Sequence, residues 1–204
     1  MHQHAPDRAA QSCPYSRSGS PRSVGKSSAR QALKSHTADL HDATERAFEG
    51  FDLACADGYR AFISAHAAAI LPLEEGFTAE GWAGYRARSA DLLEDCEALR
   101  IAPLLETSGA PRSPGAIWGM QYVIEGSRLG GKQLVKQVPE GTTRAYLSPP
   151  SDLGTHWNNF CDALDQEAAR EGPEWLEDAK AGARHLFLRF TECAMRHTPT
   201  GIAA

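Results

Sequence analysis

Trp118 to Lys136 reads WGMQYVIEGSRLGGKQLVK. Apolar residues recur through it with a helical period, yet three glycines, Gly126, Gly130 and Gly131, sit in its middle. Each glycine in a helix interior costs about 1 kcal/mol against alanine. A loss of about 2–3 kcal/mol in one buried helix is large beside the net stability of a domain. The obvious return is space. Gly126 and Gly130 are four apart and share one helix face. Without a Cβ there, something flat can approach the backbone closely, or the helix can bend over it. The segment EGSRLGG lies inside a helical pattern rather than between a strand and a helix, so a phosphate-binding loop is a poor reading.

Working outward, the pattern on both sides is also helical. A first helix runs from Ala29, with Leu33, Leu40, Ala47 and Phe48 at helical spacing, and Gly50 closes it. A second spans about 56–71 and is ended or kinked by Pro72. A third covers about 81–100, and residues 107–115 form a loop. The glycine-bearing helix occupies about 116–138 and stops at Pro139-Glu140-Gly141. Two more helices follow, at about 152–170 and 174–196. No strand run or repeat is present, so the predicted class is all-α. Residues 1–28 are rich in Ser, Arg, Pro, Gln and Gly and read as a disordered tail. Residues 29–197 form the single helical domain, and 198–204 a short C-terminal tail.

Bulk properties narrow the function classes. The 204 residues suffice for one domain with a sizeable core. A net charge of −5 predicts no attraction to nucleic acid or anionic lipid. No stretch has the length of a membrane span and the N-terminus lacks a secretory apolar region, so a cytoplasmic protein is expected. The five cysteines are odd in number and contain no C-x-x-C pair. A disulfide framework or zinc site is not expected. The tail dipeptide Cys13-Pro14 resembles a heme-responsive motif, although an incidental pair is the plainer reading.

Among eight histidines, His41 is the strongest ligand candidate. It lies on the apolar side of the first helix, and Glu45 follows four residues later on the same face. A carboxylate there can hold the imidazole N–H that does not bind metal, which fixes tautomer and ring orientation. Lys34 lies seven residues before His41, about 10 Å along nearly the same face, where it can meet a ligand carboxylate. The alternative is a partly buried structural histidine beside surface charges. No E-x-x-H, H-E-x-x-H or G-x-S-x-G pattern is present. Glu74-Glu75 and the group Asp91, Glu94 and Asp95 read as solvated faces.

Together, LKSHTADLHDATE (33–45) and YVIEGSRLGG (122–131) resemble the heme oxygenases, most closely the bacterial, biliverdin-producing branch. The resemblance covers about 30–196. It implies one all-α domain with heme b between a proximal and a distal helix. It also implies conversion of heme to biliverdin, Fe2+ and CO, using O2 and an external electron donor such as a reductase or ferredoxin. A bilin-accepting phytochrome is a possible recipient of the product. On this resemblance His41 matches the proximal ligand to iron, Glu45 its orienting carboxylate and Lys34 a residue near the propionates. Gly126, Gly130 and Gly131 match the distal glycines that contact heme. Ser127 stands where the animal enzymes carry an aspartate that organises proton delivery, so Gly126, Ser127 and Gly130 are the predicted catalytic segment. Arg128 stands where a small polar residue is more usual in the bacterial branch. Two other functions compete: a non-catalytic heme-binding or sensing protein on the same fold, and a thiamin-hydrolysing relative with a cysteine nucleophile, for which Cys161 is the candidate.

Overall fold

The computed structural model describes residues 28–198, apart from residues 75 and 107–108 and the side chains of 78 and 79. Cys13-Pro14 and nearly all of both expected tails lie outside the described residues. The described elements are helical: α1 (Ala29–Phe48), α2 (Ala56–Glu74), a single turn α3 (Phe77–Glu80), α4 (Ser89–Ala98), α5 (Pro114–Leu134), α6 (Leu153–Glu171) and α7 (Pro173–His197), with a short 3-10 turn (Val135–Gln137) closing α5.

Local chemistry explains the boundaries. The Ser28 hydroxyl accepts from the Gln31 N–H at 3.2 Å, so Ser28 caps α1 rather than ending a tail. Ser113 caps α5 in the same way, and Pro114 opens that helix at a position where its missing N–H costs nothing. Gly172, at φ 96°, turns the chain between α6 and α7.

Two expectations need correction. Pro72 does not end α2, which runs on to Glu74. Proline leaves the carbonyl four residues earlier without its helical donor. Here Arg189 of α7 supplies that donor: its Nη2 lies 2.6 Å from the Ala68 carbonyl, and its Nε 2.9 Å from that of Ala69. The third helix is also shorter than the 81–100 expected, because 81–88 is irregular and only α4 is helical. Glu74 causes much of this. It is buried, and its carboxylate accepts from the Arg88 and Ser89 backbone N–H groups at 2.7 and 2.6 Å and from the Tyr85 and Ser89 hydroxyls. Asp95 is likewise buried and receives the Ala145 and Tyr146 N–H groups, each at 2.9 Å, and the Thr143 hydroxyl. Neither carboxylate is a solvated surface charge; both tie irregular backbone into the core.

The long helix α7 packs against α1, α2, α5 and α6. Its crossing with α5 uses glycines other than the three in the middle of the segment first quoted. A Cβ on Gly119 would overlap the Ala179 carbonyl, and one on Gly182 would overlap the Ala116 carbonyl. These glycines let the two helix backbones touch, which holds the N-terminal half of α5 against α7. Its C-terminal half, carrying Gly126 and Gly130, is left to face elsewhere.

Candidate functional site

α1 and α5 line a cleft of about 510 Å³. Arg30, Lys34, His41 and Glu45 face it from α1, and Tyr122, Gly126, Ser127 and Gly130 from α5. Phe62 and His66 of α2, Trp157 of α6, and Phe187 and Phe190 of α7 complete an apolar enclosure. That volume and lining suit one cofactor-sized ligand.

On the α1 wall, Thr44 anchors the helix. Its hydroxyl lies 2.9 Å from the Leu40 carbonyl and 2.9 Å from the Thr191 hydroxyl of α7. One turn earlier, the His41 ring meets the edge of Phe187 at 5.9 Å between centroids. His41 Nδ1 lies 3.7 Å from Glu45 Oε2 and 3.7 Å from Asp42 Oδ1. These distances exceed a direct hydrogen bond, so the two carboxylates act on the ring by charge and closeness. With Nδ1 turned to carboxylates, Nε2 remains to bind a metal. The side chain is 55 % exposed, so the site is open to a large ligand. Lys34 and Arg30 continue the same face, at intervals of seven and four residues. Arg30 has its guanidinium 5.4 Å from the Trp157 ring centroid, a cation–π contact. It is a second cation at the cleft that sequence spacing alone did not single out.

At Gly126 and Gly130 the α5 wall is bare backbone. A Cβ on Gly130 would meet nothing within 4 Å, and one on Gly126 would only touch Trp157 at 3.6 Å. Protein packing therefore does not require glycine at these two positions. The open space beside them is what a side chain would fill. Ser127 also lines the cleft; its hydroxyl donates to the Ile124 carbonyl at 2.7 Å and also meets the Tyr146 side chain.

Two residues of the glycine segment, the predicted Gly131 and its neighbour Arg128, lie elsewhere. Gly131 is buried, its position for a Cβ 3.7 Å from Leu147, and it does not line the cleft. Arg128 turns away from the cleft altogether. It is buried, with Nε 3.0 Å from Glu125 Oε2 and an Nη2 that donates to the Arg86 carbonyl. Burial lowers its pKa, as does Arg88, while Glu125 opposes the change.

His66 is a cleft residue that sequence reading passed over, because it sits within an alanine-rich core stripe. Its Nδ1 is 2.9 Å from the Phe62 carbonyl, which makes Nδ1 the protonated nitrogen and Nε2 an acceptor. Burial pushes its pKa down to about 3, against the opposing effect of the Phe62 carbonyl, so the ring is neutral near pH 7. Cys161 is buried outside the cleft lining, and burial raises its pKa to about 11. A thiol so placed is a poor nucleophile, and the thiamin-hydrolysing alternative loses its candidate.

The cleft thus offers an imidazole nitrogen on one wall, two bare glycine positions on the other and two cations at one end. No protein-family model matches the chain. A heme oxygenase of Xanthomonas campestris pv. campestris (strain 8004) is 32% identical over 118 residues, covering 55% of this chain and 70% of that protein. The fold matches that of a heme oxygenase from Neisseria meningitidis, solved with NO and CO bound, at a TM-score of 0.67 and 21% identity, covering 87% of this chain and 95% of that one. The likeness of sequence to the Xanthomonas protein extends over more than two thirds of that relative, and with it this chain belongs to the heme oxygenase family and is an enzyme.

Proposed function

We propose that this enzyme binds heme b in the cleft between α1 and α5 and cleaves it, with O2 and electrons from an external donor, to biliverdin, Fe2+ and CO. The observation that carries the reading is the facing of His41 by Gly126 and Gly130 across one apolar cleft. When bound, heme supplies both the redox-active iron and the ring that is oxidised.

His41 would hold the iron through Nε2, with Glu45 and Asp42 orienting Nδ1. An imidazole is a moderate donor to iron, unlike a thiolate, which favours O–O cleavage. Lys34 and Arg30 would receive the two propionate carboxylates, Arg30 with the bidentate fork that carboxylates fit. Gly126 and Gly130 would let the α5 backbone lie close over the ring and exclude bulky competing substrates. Ser127 would hold water at its hydroxyl, and the α5 backbone would share that task. His66, neutral and with Nε2 as acceptor, would take a hydrogen bond from such water without adding charge to the cleft.

Arg128 points away from the cleft, so it does not crowd Ser127. That removes one reason for preferring a non-catalytic heme sensor. We further propose a cytoplasmic enzyme served by a reductase or ferredoxin. Among the described residues no helix is long and apolar enough to cross a membrane.

The test is direct. Protein mixed with hemin should develop a Soret band, and ascorbate in air should convert it to biliverdin absorption. A Soret band that persists under reductant without biliverdin refutes turnover. A hemin spectrum unchanged by the protein refutes heme binding as well.

A further inference from the structure

Behind the cleft, the opposite face of α5 carries a buried charged group that the reaction as proposed does not use. Glu125 is 1% exposed and Arg128 7%. At 100° per residue these two positions lie roughly opposite Gly126 and Gly130 on the helix. Glu125 Oε2 sits 3.0 Å from Arg128 Nε and 3.1 Å from Nε2 of His156 on α6. The His156 contact is off the line of a hydrogen bond, and Glu125 Oε1 has no hydrogen-bond partner among the described residues. The His156 ring also packs on Trp82 at 4.9 Å. Arg128 reaches past Glu125 to the Arg86 carbonyl, and the Arg86 side chain forms two hydrogen bonds to Asp152 at the start of α6, at 2.8 and 2.7 Å. Glu125 therefore faces α6 through His156, while Arg128, which it holds, ties this part of α5 to the irregular stretch 81–88.

A buried charge cluster of this kind is weak ground for stability, because desolvation offsets its Coulombic gain. Apolar residues of similar volume would pack the site as well. What charge and direction add is a fixed geometry. It lies one residue before and two residues after Gly126, where the backbone faces the cleft.

We propose that Glu125, Arg128 and His156 are positioning residues that set the height and rotation of α5 over the cleft. The proposal rests on the heme reading for its consequence but not for its mechanics. Glu125→Gln keeps the shape and removes the charge that holds Arg128 and faces His156. The substitution adds no atom to the cleft and leaves Gly126, Gly130 and the α1 residues in place, so the hemin Kd should change less than about threefold, a difference under 1 kcal/mol. The α5 backbone should loosen, so amide exchange in the peptide covering 121–134 of the heme-free protein should quicken about tenfold or more, while α1 and α7 keep wild-type rates. In the ferrous CO complex the carbonyl stretch should split or shift, since its frequency reports the polar groups and backbone near the distal side. Arg128→Lys, which keeps the charge but not the fork, should give the same pattern in weaker form and serves where Glu125→Gln fails to fold. His156→Gln, a neutral donor, should retain the wild-type carbonyl band.

Unchanged α5 exchange in both variants, or exchange quickened equally in every helix, would overturn the proposal. An unmoved carbonyl band in a variant with quickened exchange would also overturn it, since α5 would then move without consequence for the site. If wild-type protein takes up no hemin, the functional reading fails, and exchange in the heme-free variants still decides whether the brace exists.

Discussion

Glycines in α5 fall into two physical groups, and alanine substitution should separate them. A methyl at Gly130 would meet no atom within 4 Å, and one at Gly126 would touch only Trp157 at 3.6 Å. Neither substitution strains the heme-free protein. Each should instead gain the intrinsic helix preference of alanine, about 1 kcal/mol, or about 2–4 °C in Tm for a domain of this size. Hemin affinity should move the other way. The new methyl occupies the space the ring face needs, and a loss of at least about tenfold, 1.4 kcal/mol, is expected for either variant. Gly119→Ala is the control. Its Cβ would overlap the Ala179 carbonyl, a backbone atom of the adjacent helix, so α7 must shift at a cost of about 3 kcal/mol. Calorimetry of the heme-free proteins and Soret titration with hemin measure both quantities. The reasoning fails if Gly130→Ala lowers Tm, if Gly119→Ala does not, or if neither Gly126→Ala nor Gly130→Ala weakens hemin binding.

Three further outcomes are expected. His41→Ala should lose the imidazole-ligated spectrum and turnover while changing heme-free stability by less than about 0.5 kcal/mol, since the side chain is more than half exposed; a wild-type spectrum would remove His41 from the iron. His66 is held neutral in the fold, with a pKa near 3 against 6.5 when unfolded, so the unfolded chain binds the extra proton as pH falls below 6.5. His66 should therefore contribute a loss of up to about 1.4 kcal/mol per pH unit between roughly pH 6 and 4, absent in His66→Leu; parallel urea stabilities of the two proteins across that range would contradict it. Arg189→Met should cost about 2 kcal/mol by releasing the Ala68 and Ala69 carbonyls, and less in a Pro72→Ala background, where a backbone N–H returns to Ala68; strictly additive costs would show that Arg189 does not compensate for Pro72.

The helical class and the two walls of the cleft were legible in the sequence, because periodicity, glycine cost and the spacing of His41, Glu45 and Lys34 are local properties of single helices. Glu74 and Asp95 were not legible. In a run of acids a carboxylate looks solvated, and only the fold brings Arg88, Ser89 and Tyr146 backbone N–H groups to them. The early break at 81–88 follows from the same non-local bonds. Pro72 misled for a related reason, since its partner Arg189 lies more than a hundred residues away. Arg128 could not be placed from its neighbours, because its direction depends on Arg86 and Glu125 rather than on the glycine motif itself. Gly115 and Gly119 carried a signal, a four-residue glycine interval before the quoted glycines, that marks the close α5–α7 crossing.

The central claim is that the cleft between His41 and the glycine face of α5 is where heme is opened rather than only held. Its most direct test counts products. Hemin-loaded protein is reduced in air under single-turnover conditions, biliverdin is separated by chromatography and CO is trapped by a ferrous globin. The account predicts one biliverdin and one CO for each hemin consumed, with neither formed by His41→Ala. Hemin bleached without CO, or retained intact with its Soret band, would contradict it.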